Sequence, residues 1–170
     1  RRVRRAAARS WRRQAARRCA CLTGQRFRGR HARALAALVG RCLGTRVPRQ
    51  MLGGRGVEVR GRAPRIADLV LFHHTRDANG NGRVDDRFSD AGVVVRVQGS
   101  RVHFVYLRRG VARRGVLNIA RPHHRRSGAA TVENTYLRII RRSDPDRARY
   151  LAGQLLAGFA SPPAPSTGGV

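Results

Sequence analysis

Residues Gly92–Leu107 read GVVVRVQGSRVHFVYL. Gly92–Val97 is rich in β-branched residues, Gln98-Gly99-Ser100 is a short polar connection, and Arg101–Leu107 alternates. In that last segment Val102, Phe104 and Tyr106 take one face and His103, Val105 and Leu107 the other. Successive side chains of a strand point to opposite faces, so this pattern predicts an antiparallel hairpin closed by a three-residue, Gly-containing loop. On either side of it, Ile66–His73 is an apolar run ending in a polar turn, and Val111–Ile119 reads as a further antiparallel strand. Upstream, Leu35, Leu38, Val39, Cys42 and Leu43 recur at helical spacing within residues 31–43 and stop at Gly44. Residues 44–65 and 120–130 read as loops. Residues 147–159 read as a closing helix with Leu151, Leu155, Leu156 and Phe159 on one stripe. The expected class is α+β, with helices segregated from an antiparallel sheet.

Charge is distributed unevenly around this frame. The chain has 170 residues and 37 basic side chains, all arginine, against nine acids, for a formal charge of +28. Residues 1–57 hold 17 of the arginines and no acid. All-arginine usage is also what a GC-rich coding sequence produces, so charge alone does not assign each guanidinium to a phosphate. Residues 1–25 read as a basic arm, either weakly helical or disordered, and Ser161–Val170 (SPPAPSTGGV) as a tail. Between them, residues 26–160 form the expected domain. The composition excludes an acidic solvating segment, a collagen-like repeat and a disulfide-dense miniprotein. No apolar run approaches the roughly 20 residues needed to span a bilayer. The chain opens on Arg1 rather than a methionine, so no leader peptide is judged from it.

Cys19, Cys21 and Cys42 lack metal-finger spacing, and their odd number argues against a closed disulfide framework. Cys42 lies on the apolar helical stripe and reads as a buried small hydrophobe. The most specific local pattern is Asp77-x-Asn79-x-Asn81-Gly82, continued to Asp85. Oxygen side chains at alternating positions with a glycine at the sharp turn are what a calcium loop needs, making Asp77, Asn79, Asn81 and Asp85 candidate ligands. Against this, Phe88 stands where a bidentate glutamate is expected, and Asn79-Gly80 and Asn81-Gly82 also serve as plain turn dipeptides. Calcium is the only cofactor the residues suggest. The pairs His73-His74 and His123-His124 read as strand-end or loop residues, since neighbours on a strand face opposite ways. The basic half carries only Trp11 and Phe27 for stacking, which leaves sequence-independent attraction to nucleic acid or other polyanions.

One resemblance spans about residues 26–120. The segment Ile66–Val97, IADLVLFHHTRDANGNGRVDDRFSDAGVVVRV, resembles the centre of papain-like cell-wall hydrolases of the NlpC/CHAP kind. There a GDLVFF strand leads through a polar loop to an HVGVV strand. RVHFVYLRRGVARRGVLNI resembles the next two strands, and RFRGRHARALAALV stands where that family has DCSG opening its core helix. The resemblance implies a papain-like α+β fold, with an N-terminal core helix on an antiparallel sheet and a C-terminal helix. It also implies peptidoglycan as partner, a cell-envelope or secreted location, and a thiolate nucleophile activated by a histidine. Carried over residue by residue, the nucleophile position falls on His31, the histidine position on Asp90 and the orienting position near Tyr106, so all three identities are lost. Three functions follow as expectations: a catalytically degenerate hydrolase homologue, an Arg-rich polyanion binder, or a cysteine hydrolase using another thiol. The first requires residues 31, 90 and 106 to meet in one groove at the N-terminus of helix 31–43.

Overall fold

A computed structural model describes residues 2–55 and 63–163; the rest of the expected tail, residues 164–170, lies outside the described residues. The chain runs α1 (Arg2–Cys21), α2 (His31–Leu43), α3 (Arg49–Leu52), β1 (Leu69–Phe72), β2 (Asp90–Gln98), β3 (Arg101–Arg108) and β4 (Val111–Asn118). It continues through β5 (Arg126–Ser127), β6 (Thr131–Val132), α4 (Ala152–Leu155) and β7 (Leu156–Ala160). The protein is α+β: β4-β3-β2-β1-β7 form a five-stranded antiparallel sheet, and β5-β6 a separate small ladder.

The alternation read from residues 101–107 sorts the core into two layers. Val105 and Leu107 join Leu69, Leu71, Ala91 and Val93 under the α2 stripe of Leu35, Leu38, Val39 and Cys42. Val102, Phe104 and Tyr106 join Val70, Phe72 and Val94 on the other face, covered by Leu137, Leu155 and Phe159. The β2–β3 connection is one residue shorter than expected: Gln98 pairs with Arg101, leaving Gly99-Ser100 as a two-residue turn with Gly99 at φ +56°.

Residues 2–21 form a helix of twenty residues. Its buried face is narrow and small, consisting of Ala15, Ala16 and Cys19 with half-buried Trp11. Small residues let α1 approach α2 closely, and polar contacts fix its end. Trp11 Nε1 and Arg18 Nη2 both donate to the Leu43 carbonyl at 3.1 Å, supplying donors that the α2 C-terminus lacks internally. Gly44 closes α2 at φ +68°, and a Cβ there would lie 2.7 Å from the Arg18 guanidinium. Cys19 is disulfide-bonded to Cys42, which corrects the reading of Cys42 as a buried small hydrophobe and the argument from the odd count against a disulfide framework. Cys21 is the exposed odd thiol.

The closing helix expected over 147–159 is a single turn, α4, followed by a strand. Helical spacing of Leu151, Leu155, Leu156 and Phe159 is also satisfied by one turn plus an extended segment. The competing pull is β1, whose second edge would otherwise have no ladder partner; β7 pairs along it from Leu69↔Ala160 to Phe72↔Leu156. Gly158, at φ +147°, accommodates the register shift in that pairing.

Buried Glu133 pins the loop after β4. Its carboxylate accepts from Arg101 Nε and Nη2 at 3.0 and 2.7 Å and from Asn118 Nδ2 at 2.6 Å. The Arg101 hydrogen bonds, then Asn118, hold the Glu133 pKa down at about 2 against an ordinary 4.5. A depressed carboxylate pKa contributes stability that is fully present above the unfolded value and is lost as pH falls through the folded one. The stability gap between wild type and Glu133→Gln is therefore expected to be constant above about pH 5 and to narrow towards pH 2. Thermal melts across that range check it; a gap independent of pH would count against this role.

Candidate functional site

The N-terminus of α2 and the first residue of β2 meet. Arg30, extended at φ −60° and ψ 149°, precedes the helix with no side-chain cap, which places His31 in its first turn. Its Nε2 lies 3.1 Å from Asp90 Oδ1. Asp90 begins β2, and the same oxygen accepts the Ala91 amide at 2.8 Å, which holds the carboxylate at the strand end. The two side chains line a cavity of about 180 Å³ together with Arg49, Arg76, Phe88 and Ser89.

Two of the three expected positions therefore come together, and Tyr106 does not join them. It pairs with Gly92, lies 4 % exposed, and packs against Phe104 at 5.6 Å in the core of the opposite sheet face. Strand periodicity explains the miss: a residue near the right register is on the wrong face if the count is off by one. The cavity wall that sequence reasoning missed comes from the end of the loop between β1 and β2. Ser89 Oγ receives the Thr75 amide at 2.9 Å and is 2.8 Å from Thr75 Oγ1, while Arg76 Nε donates to the Ser89 carbonyl at 3.1 Å. No hydroxyl or thiol is hydrogen-bonded to His31 among the described residues. Cys42 lies eleven residues beyond His31 on α2, or about 16 Å at 1.5 Å per residue, and its sulfur is committed to Cys19.

The polar loop is folded rather than variable coil. His73 Nδ1 accepts the Phe88 amide at 2.9 Å, and His74 N–H donates to the Asp86 carbonyl. Burial lowers the His73 pKa first, with His74 and Arg87 acting in the same sense. Asp77 accepts the amides of Gly80, Asn81 and Gly82, and Asn79 and Asn81 accept the amides of Asn81 and Arg83. Desolvation opposes ionisation of Asp77, but the Gly82, Gly80 and Asn81 amides outweigh it and lower its pKa. The oxygens of these three candidate ligands thus turn onto the loop's own backbone. Asp86 rather than Asp85 closes it, through the Ala78 amide at 2.7 Å, while Asp85 is exposed. Among the described residues no group of three or more His, Cys, Asp or Glu side chains is arranged to hold a metal. No described helix is long and apolar enough to cross a membrane.

What the arrangement offers chemically is an imidazole–carboxylate pair at a helix N-terminus, in a small cavity walled by Leu35, Leu52 and Phe88 and flanked by Arg49 and Arg76. No protein-family model, curated protein or solved structure matches the chain.

Proposed function

We propose that the chain is a catalytically degenerate relative of papain-like cell-wall amidases and endopeptidases, with the His31 cavity as the remnant of a peptidoglycan-binding groove. One observation supports this reading: the positions that the resemblance assigns to nucleophile and base, 31 and 90, are in direct contact at the first turn of α2 and the start of β2. The third, Tyr106, lies on the other sheet face, so the expected meeting of three holds for two and the reading rests on that pair. In an active site of that kind the helix end bears a thiolate and the strand an imidazolium. Here the chemistry is inverted, with an imidazole on the helix and a carboxylate on the strand. Neither is a competent nucleophile for an amide at this position.

Restoring the pair tests the reading. His31→Cys with Asp90→His is expected to produce slow, alkylation-sensitive release of muropeptides from purified peptidoglycan, and the wild-type chain is expected to bind that material without cleaving it. Failure of both binding and restored cleavage would sink the proposal.

A second reading has its own observation. Exposed Arg5, Arg9, Arg13 and Arg17 follow one another at four-residue steps along α1. Like charges at that spacing repel by about 0.2–0.5 kcal/mol per pair, and an external polyanion relieves the repulsion. Salt-sensitive retention on random duplex DNA, with none on peptidoglycan, would favour this second function.

A further inference from the structure

A cleft of about 290 Å³ opens where the last turns of α1 cross β2, β3 and β4, with Ala16, Arg17, Val95, Arg96, His103 and Arg114 in its wall. Its volume is at the small end for ligand sites, which begin at roughly 300 Å³. The cleft owes one of its charges to an irregularity in β2. Val94 pairs with Phe104, yet Arg96 pairs with His103, so Val95 is an extra residue. Regular alternation would put Arg96 on the same face as Val94, in the layer of Phe104. The bulge instead re-aims it to the face of His103, beneath α1. Arg114, paired with Val105, comes from β4 onto that same face.

Three exposed arginines from three elements therefore line one cleft. None forms an ion pair among the described residues; Arg114 Nε has only a 3.4 Å contact with Thr23 Oγ1. His103 Nε2 is buried and without a hydrogen-bond partner. Burial first, then Arg96, Arg101 and Arg114, lowers the His103 pKa, as a site of positive potential requires. Arg101 is already engaged by Glu133. The negative end of the α1 dipole is muted, because the Cys19 and Ala20 carbonyls accept the amides of Leu22 and Thr23.

We propose that this cleft binds a phosphate-class oxyanion held by Arg17, Arg96 and Arg114, with the His103 imidazole in its wall. A tetrahedral oxyanion has enough oxygens to accept from three arginines at once, whereas a carboxylate has only two to share. The site is independent of the His31 cavity and of the hydrolase reading. It also differs from general polyanion attraction, which acts on every exposed arginine alike.

Titration of the full chain with inorganic phosphate, and separately with pyrophosphate, at physiological ionic strength tests it. Saturable binding of one anion is expected, with the His103 imidazole resonances moving and their titration shifting upward. Arg96→Gln and Arg114→Gln are each expected to weaken binding about tenfold or more, as loss of a charge-assisted contact implies. Arg17→Gln, on the helix, provides the same test without touching the sheet. Arg113→Gln is the control: it removes the same charge from the next residue of β4, which pairs with Tyr106 and faces the other way. Less than about a twofold effect is expected there, because only screened long-range attraction is lost. An equal loss for Arg113→Gln and Arg114→Gln, or a His103 signal indifferent to phosphate, would overturn the site.

Discussion

Asp68→Ala is expected to lower the unfolding free energy by about 3 kcal/mol or more, the cost of stranding a buried hydrogen-bonded charge network. The Asp68 side chain is fully buried. One carboxylate oxygen accepts from Arg12 Nη1 at 2.9 Å and from Ser161 Oγ at 3.2 Å, and the other from the Arg65 amide at 2.8 Å. Arg12 also donates to the Ile66 carbonyl at 2.7 Å. A single side chain thereby ties α1, the turn before β1 and the residue after β7. Alanine leaves the Arg65 amide and Arg12 without that acceptor. Because Arg12 keeps 21 % exposure and reaches water, the effect belongs at the lower end of the range for broken buried pairs. Urea unfolding should show a lower midpoint with an unchanged slope. A loss below about 1 kcal/mol would mean that water replaces the network at little cost.

Reducing the Cys19–Cys42 bridge is expected to cost about 3 kcal/mol, from the loop entropy restored to the unfolded chain. The linked residues are 23 apart, and the bridge joins α1 to α2 inside the core. At this chain length each kcal/mol moves the melting temperature by roughly 2–4 °C, so a drop of about 6–12 °C is expected on adding reductant. Cys42→Ala should reproduce the drop, and Cys21→Ser should leave melting unchanged because that thiol is exposed and unbridged. Melting insensitive to reductant would dismiss the bridge as a stabilising link. A bridge of this kind persists only under oxidising conditions.

The parts of this structure that periodicity encodes were legible in the sequence. The α2 stripe, its stop at Gly44 and the face assignment of residues 102–107 all follow from side-chain spacing, and the structure has them. What failed depended on partners distant in sequence. β7 is a strand because β1 has an edge to fill, and nothing within residues 156–160 announces that. α1 packs through alanine and cysteine, which carry little hydropathy signal, and its order rests on Trp11, Arg12 and Arg18 reaching other segments. At the cavity, a meeting of His31 and Asp90 was an expectation from a resemblance alone, since neither spacing nor residue chemistry links two positions 59 apart. The same resemblance pointed near Tyr106, which alternation already put on the face of Val102 and Phe104, away from the cavity. The arginine cleft was invisible because a bulge reverses the facing of Arg96, and a one-residue insertion in a ladder leaves no mark on local composition.

The bond from Arg12 to Ser161 spans 149 residues, and that from Asp68 to Ser161 spans 93. Contacts of such separation raise contact order and slow folding, because loop closure must precede any gain from them. On a ribosome the consequence is sharper. α1, α2 and β1–β4 emerge with one sheet edge unsatisfied and the Asp68 carboxylate lacking its Ser161 partner, and this persists until residues 156–161 have left the exit tunnel. The nascent chain must keep that edge from foreign strands throughout, and a ribosome stalled before residue 156 would display an adhesive rather than a folded intermediate.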